Sequence, residues 1–150
     1  LYSWTRMKME RKDSEGALKL LDRAISDNPK IGDSYWYKAI VLNQIGKKDE
    51  AVVNLKQALD ARMKRTPANF QEAIFAADLL TQFQEFGKSV VYYEQALREQ
   101  PTNARLLITL ANVYTRLGTQ DKAKEMLDRA QLADPKLIEE LKKEVEKQKK

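Results

Sequence analysis

The sequence predicts an all-α fold, four helix-turn-helix repeats stacked into a solenoid and closed by one C-terminal helix. Three observations carry this. Small residues recur in pairs seven apart, Ala17 with Ala24, Ala51 with Ala58, Ser89 with Ala96 and Ala123 with Ala130, at steps of 34, 38 and 34 residues. Inside each pair stands a large residue, Leu21, Leu55, Tyr93 or Leu127, and small-large-small at spacings of four and three marks one face of a helix. Glycine and proline fall in register with these pairs, Gly46 and Gly118 ahead of them and Pro29, Pro101 and Pro135 behind.

The elements follow in order as repeats at about 1–31, 32–65, 66–103 and 104–135, with a capping helix at 136–150, all in one domain. The first repeat is damaged at its front, because Thr5 and Lys8 stand where a small and an apolar residue are expected. Its first helix, about 1–11, therefore packs poorly or packs against something upstream. The second repeat opens with Tyr35, Ala39, Leu42 and Ile45, then Gly46 as a helix terminator. Four extra residues follow Ala58, about one helical turn. Thr66-Pro67 reads as the next helix start, threonine capping and proline in the first turn. In the third repeat Gln84 replaces the glycine between the two helices, and a distorted turn is expected there. The fourth repeat carries Leu107, Leu110, Ala111, Tyr114 and Leu117 before Gly118, with Thr119 expected to cap its second helix. After Pro135, with Asp134 as cap, Leu137, Ile138, Leu141 and Val145 form the stripe of a last helix. An end repeat exposes an apolar face that needs a polar-backed lid, and this helix is read as that lid.

The recurring pattern resembles the tetratricopeptide repeat (TPR) family, whose unit is 34 residues of paired antiparallel helices. The fourth repeat carries the resemblance in Leu107, Leu110, Ala111, Tyr114, Ala123, Leu127, Ala130 and Pro135. The second carries it in Tyr35, Ala39, Leu42, Ala51, Leu55 and Ala58, and the third in Ala76, Ala77, Leu80, Ser89, Tyr93, Ala96 and Pro101. The resemblance implies a right-handed superhelix whose first helices line a concave side. It also implies a protein-protein interaction scaffold, or adaptor, that takes an extended or helical peptide in that groove.

Setting aside the core positions of each first helix leaves the candidate groove residues. They are Tyr2 and Arg6 in the first repeat, and Trp36, Tyr37, Ile40 and Gln44 in the second. The third supplies Ile74, Phe75 and Asp78, and the fourth Arg105, Ile108 and Asn112. Their middle is apolar, so the expected partner segment is apolar or amphipathic, with arginines at the rim for acidic groups. Each buried anchor contributes roughly 1.5–3 kcal/mol before ordering costs. Some members of the family clamp acidic chaperone tails with Lys, Asn and Arg at set positions, but here those positions hold Trp36, Ile40, Phe75, Arg105 and Thr109, and Arg105 alone fits. The alternative reading is a structural solenoid that self-assembles through its ends, motivated by the poor first helix.

Composition excludes several classes. The chain has no Cys and no His, which removes disulfides, the usual zinc sites and the Ser-His or Cys-His devices. No glycine-rich phosphate loop is present, so no enzyme and no cofactor is expected. The net charge of +5 is dispersed: 136–150 holds six Lys and four Glu, leaving +3 for the other 135 residues. That is no basic stripe, and it argues against nucleic acid as a partner. No apolar run reaches the length of a membrane span. The chain begins at Leu1 rather than Met, as a fragment stripped of a targeting segment would, and with no visible secretory signal a cytoplasmic location is the default.

Overall fold

The structure, a computed structural model, describes residues 13–149. Among them every regular element is helical. The chain divides into two compact units, Leu1–Thr66 and Pro67–Lys150. The expected first helix lies outside the described residues.

The first unit contains α1 (Ser14–Asp27), α2 (Gly32–Gln44) and α3 (Lys48–Ala58). Asp13 starts α1 by accepting the Gly16 N–H at 3.0 Å, satisfying one of the donors that a helix start leaves open. The helix buries Ala17, Leu21 and Ala24, the first small-large-small face. Helix α2 packs on α1 and pairs with α3. It buries Ala39 and Leu42, and α3 buries Ala51, Leu55 and Ala58.

The four extra residues after Ala58 are not a further turn of α3. They form a 3-10 turn, Ala61–Met63, capped by Asp60, which accepts the Arg62 N–H at 2.9 Å. Lys64 then turns the chain in the left-handed region (φ 54°) and sends Arg65 back over the start of α2. The Arg65 guanidinium sits 4.5 Å from the Trp36 ring centre, and its Nε lies 2.9 Å from the Asp33 carboxylate. Gly32 is buried beneath this loop, and a Cβ there would stand 2.7 Å from the Arg65 Cβ.

The second unit holds α4 (Phe70–Gln82), α5 (Phe86–Glu99), α6 (Ala104–Arg116), α7 (Gln120–Ala133) and α8 (Pro135–Gln148). Consecutive helices pack on one another around one apolar core that runs from Ala73 to Leu137. The start of α4 departs from the sequence reading. Asn69, not Thr66, is the cap, and its Oδ1 accepts the Glu72 N–H at 2.9 Å. Glu72 reaches back to the Ala68 N–H at 2.9 Å, so two open donors are satisfied by one local pair. Pro67 stays ahead of the helix, with its carbonyl held by Gln95 Nε2 at 2.8 Å. Thr119 does stand at the N-cap of α7, but its side chain makes no capping bond; its hydroxyl donates back to the Tyr114 carbonyl at 3.0 Å. Asn103 and Asp134 cap α6 and α8 through the Leu106 and Leu137 N–H groups.

The turn at Gln84 is regular rather than distorted. Gly46 and Gly118 adopt φ of 84° and 78°, and Gln84 adopts 60°. Each turn closes with the same long backbone bond, Lys47 N–H to Leu42 O at 2.9 Å, Glu85 N–H to Leu80 O at 2.9 Å and Thr119 N–H to Tyr114 O at 3.0 Å. Gln84 therefore takes the glycine conformation and carries the steric cost of its Cβ. A second departure is on α7. Met126 (7% exposed) fills the core between Ala123 and Ala130, while Leu127 is 46% exposed. The spacing of three and four there, instead of four and three, rotates the buried stripe by one position.

Two tyrosines tie the second unit together across its helices. The Tyr93 hydroxyl on α5 donates to the Asp78 carboxylate on α4. The Tyr114 hydroxyl on α6 donates to Glu94 on α5, and Lys122 of α7 lies 5.5 Å from the Tyr114 ring centre. Burial, reinforced by the carboxylate each one faces, pushes both phenols well above their ordinary value of 10.0.

Three measurable consequences follow from this architecture. Gln84→Gly relieves the left-handed strain and raises stability by about 1 kcal/mol in chemical denaturation, whereas Gly46→Ala and Gly118→Ala each lower it by a similar amount. Gly32→Ala forces the Arg65 loop off α2 and costs about 1–3 kcal/mol, while Gly87→Ala, whose Cβ would meet nothing within 4 Å, costs nothing. The raised tyrosines favour the neutral phenol in the folded state. Their contribution is complete below pH 10 and is lost as pH rises above it. An alkaline titration should show phenolate absorbance for Tyr93 and Tyr114 appearing with helix loss rather than before it, and Tyr93→Phe with Tyr114→Phe should remove that coupling.

Candidate functional site

The first-helix faces are the place to look, and the two units present them differently. In the first unit Trp36 is in the core, at 0% exposure, not on an open face. The cause is the loop after Ala58. It folds onto Gly32 and Trp36 of α2, and the Arg65 side chain, itself only 14% exposed, covers the indole. Tyr37 is half-buried against Ala17, Leu21 and Val41. Ile40 is half-buried and Gln44, on the last turn of α2, is exposed. Tyr2 and Arg6 lie outside the described residues.

In the second unit α4 carries Ile74 and Phe75, both half-buried, and Asp78, exposed. Helix α6 carries Ile108, half-buried, between exposed Arg105 and Asn112. Ile74 and Ile108 rest on the core, so their outer surfaces are held in place by packing below. Asp78 is committed to the Tyr93 hydroxyl, which fixes its carboxylate. The C-terminal ends of α4 and α6 enclose a shared groove of about 350 Å³. Thr81 and Gln82 line it from α4, Gln84 and Phe86 from the turn into α5, and Asn112, Val113 and Arg116 from α6. Its polar lining is made of amides, one hydroxyl and one guanidinium, so Arg116 is its single formal charge.

The sequence reading took Gln84 only as the replacement of a turn glycine and gave Phe86 no role. The signal that marks them is the substitution itself. A turn that holds a glutamine where glycine is the unstrained choice keeps a side chain there at a steric cost.

The chemistry on offer is contact and hydrogen bonding. Among the described residues no group of three or more His, Cys, Asp or Glu is placed to hold a metal ion. No described helix is long and apolar enough to cross a membrane.

Residues 80–143 match the family model described as tetratricopeptide repeat. No curated protein matches the sequence. Solved structures of similar fold include MamA AMB-1, at 20% identity and a TM-score of 0.66, covering 89% of this chain and 70% of that one. Another is MamA 41-end from Desulfovibrio magneticus RS-1, at 19% identity and 0.62, covering 89% and 73%. A third, a crystal structure of MamA, has 17% identity and a TM-score of 0.61, covering 87% and 74%. The family match spans the end of α4 to most of α8, and the tetratricopeptide pattern read from the recurring small residues falls on the same helices.

Proposed function

We propose that this chain is a protein-interaction scaffold that binds an apolar or amphipathic segment of a partner on the α4 and α6 face of its second unit. The observation that carries the reading is the groove these two first helices share. Apolar anchors, Ile74, Phe75 and Ile108, lie on the same two helices as the hydrogen-bonding groups Asn112, Gln82 and Arg116. An anchor that is half-buried already has lost most of its rotamer freedom. A partner side chain placed on it gains contact area at a small ordering cost. The amides and Arg116 can then meet the partner's own backbone and acidic groups, which fix direction and register. Ile40 and Gln44 belong to the first unit, and Trp36 is removed from the set by its burial.

The amides, the Thr81 hydroxyl and the Arg116 guanidinium of the groove are hydrogen-bonding groups, which support a scaffold reading.

The test is capture of partners from native lysate with three forms of the chain: the natural one, Phe75→Ala and Asn112→Ala. Circular dichroism confirms that each variant stays helical. The expected outcome is a partner held by the natural chain and weakened about tenfold by Phe75→Ala, equivalent to roughly 1.4 kcal/mol. Equal recovery by all three forms overturns the assignment of this face.

A further inference from the structure

A second pocket of the second unit shares no residue with the α4 and α6 face. It has a volume of about 330 Å³ and is walled by α5 and α7, the second helices of their repeats. Leu97 of α5, Tyr114 of α6 and Met126 of α7, all buried, make its floor, and Pro101 lines it from the turn after α5. Its rim is charged. Arg98 and Arg129 stand there with one carboxylate, Glu94.

The three charges are engaged to different degrees. Glu94 is committed, because it accepts the Tyr114 hydroxyl. Lys122 and Glu125 of α7 both act on Tyr114 as well, and their charges are opposite. Arg129 is half-buried, and one of its nitrogens donates to the Pro101 carbonyl at 3.2 Å. A guanidinium has five N–H donors, so this bond leaves others for a ligand. Arg98 is exposed and makes no hydrogen bond or ion pair among the described residues.

The repeat itself indicates that the fold does not require the charge at position 129. Gln95 and Pro67 stand 34 residues before Arg129 and Pro101. There a neutral amide makes the same bond, with Gln95 Nε2 donating to the Pro67 carbonyl at 2.8 Å. An amide therefore suffices to tie a second helix to the proline turn of the preceding repeat. Arginine at 129 makes that tie and adds a fixed positive charge at the pocket.

We propose that this pocket is a second docking site, and that it takes a glutamate side chain from an acidic segment of a partner protein. Charge complementarity selects the occupant. The lining carries two cations less one anion, a net +1. A carboxylate brings it to zero, whereas a phosphate dianion would leave it at −1 with Glu94 repelling the ligand. The floor selects further. The methylene stem of glutamate can rest on Leu97 and Met126 while its carboxylate meets the two guanidinium groups.

Labelled hexaglutamate and hexalysine peptides test it, followed by fluorescence anisotropy at low ionic strength. The chain should bind hexaglutamate and not hexalysine. Arg129→Gln should weaken hexaglutamate about fivefold. This variant keeps the bond to the Pro101 carbonyl, as Gln95 keeps its own, so the denaturation midpoint should stay unchanged. Arg98→Gln, at an exposed position, should weaken the peptide about as much. Glu94→Gln retains an acceptor for the Tyr114 hydroxyl and should tighten binding about threefold. Two controls remove a positive charge elsewhere and should change nothing: Arg116→Gln, in the α4 and α6 groove, and Lys124→Gln, exposed on α7 outside the pocket.

The proposal is overturned if hexaglutamate does not bind, if hexalysine binds equally, or if either Arg98→Gln or Arg129→Gln has no effect. An equal loss in Lys124→Gln would reduce the binding to general charge, and one in Arg116→Gln would move the peptide to the other groove; each overturns the pocket. Displacement of hexaglutamate by inorganic phosphate, beyond that by chloride at equal ionic strength, would assign the pocket to a free anion and overturn a protein partner.

Discussion

Close approach between neighbouring helices is the constraint on which the remaining structure depends. Alanine or serine is buried at recurring positions on the helices: Ala17 and Ala24 on α1, Ala39 on α2, Ala51 and Ala58 on α3, and Ala73, Ala76 and Ala77 on α4. Ser89 and Ala96 do the same on α5, Ala111 on α6, and Ala123 and Ala130 on α7. All of these are buried. A small residue at a crossing lets the backbones come to the near end of the usual ~8–10 Å range. The larger neighbours, Leu21, Leu55, Tyr93 and Leu107, then interlock beside the crossing and fill the space at crystal-like density. A bulkier residue at one of these buried positions would have to displace packed neighbours, at a cost of about 1–3 kcal/mol.

That constraint explains why so much of the fold was legible. Small-large-small at a fixed period is hard to produce by chance, and it locates the contact face of a helix without further assumption. The helices of both units fall where the alanines place them. The failures occurred where the signal was local rather than periodic. Thr66 and Thr119 have the right chemistry for caps, yet Asn69 and a backbone-directed hydroxyl won, because helix starts are settled by which donor is in reach. Gln84 looked like a broken turn. The turn persisted because Leu80 and Glu85 still close the long backbone bond, and the packing on both sides holds Gln84 in its strained conformation.

The candidate site was less legible, for a related reason. Periodicity says which residues face the partner helix. It does not say what covers the opposite face. Trp36 shows this directly. By spacing it lies off the helix-pairing face of α2, and the reading stopped there. Its burial depends on Arg65, twenty-nine positions later, brought over by a left-handed Lys64 and admitted by a glycine at position 32. No period connects those four residues. Leu127 is the converse. Its place between Ala123 and Ala130 marked it as core, and a one-position rotation of α7 turned it outward.

These two exceptions concern the same quantity, the fraction of apolar surface that the repeat pattern leaves unassigned. In the first unit the surplus face of α2 is covered from within the chain, by a loop whose cation lies on an indole. In the second unit Leu137, Ile138 and Leu141 of α8 pack on the core, while Val145 is 51% exposed. Apolar surface left open in this way is costly to a chain that gains nothing from it, since it favours nonspecific association. The first unit shows that a short loop suffices to cover such a face.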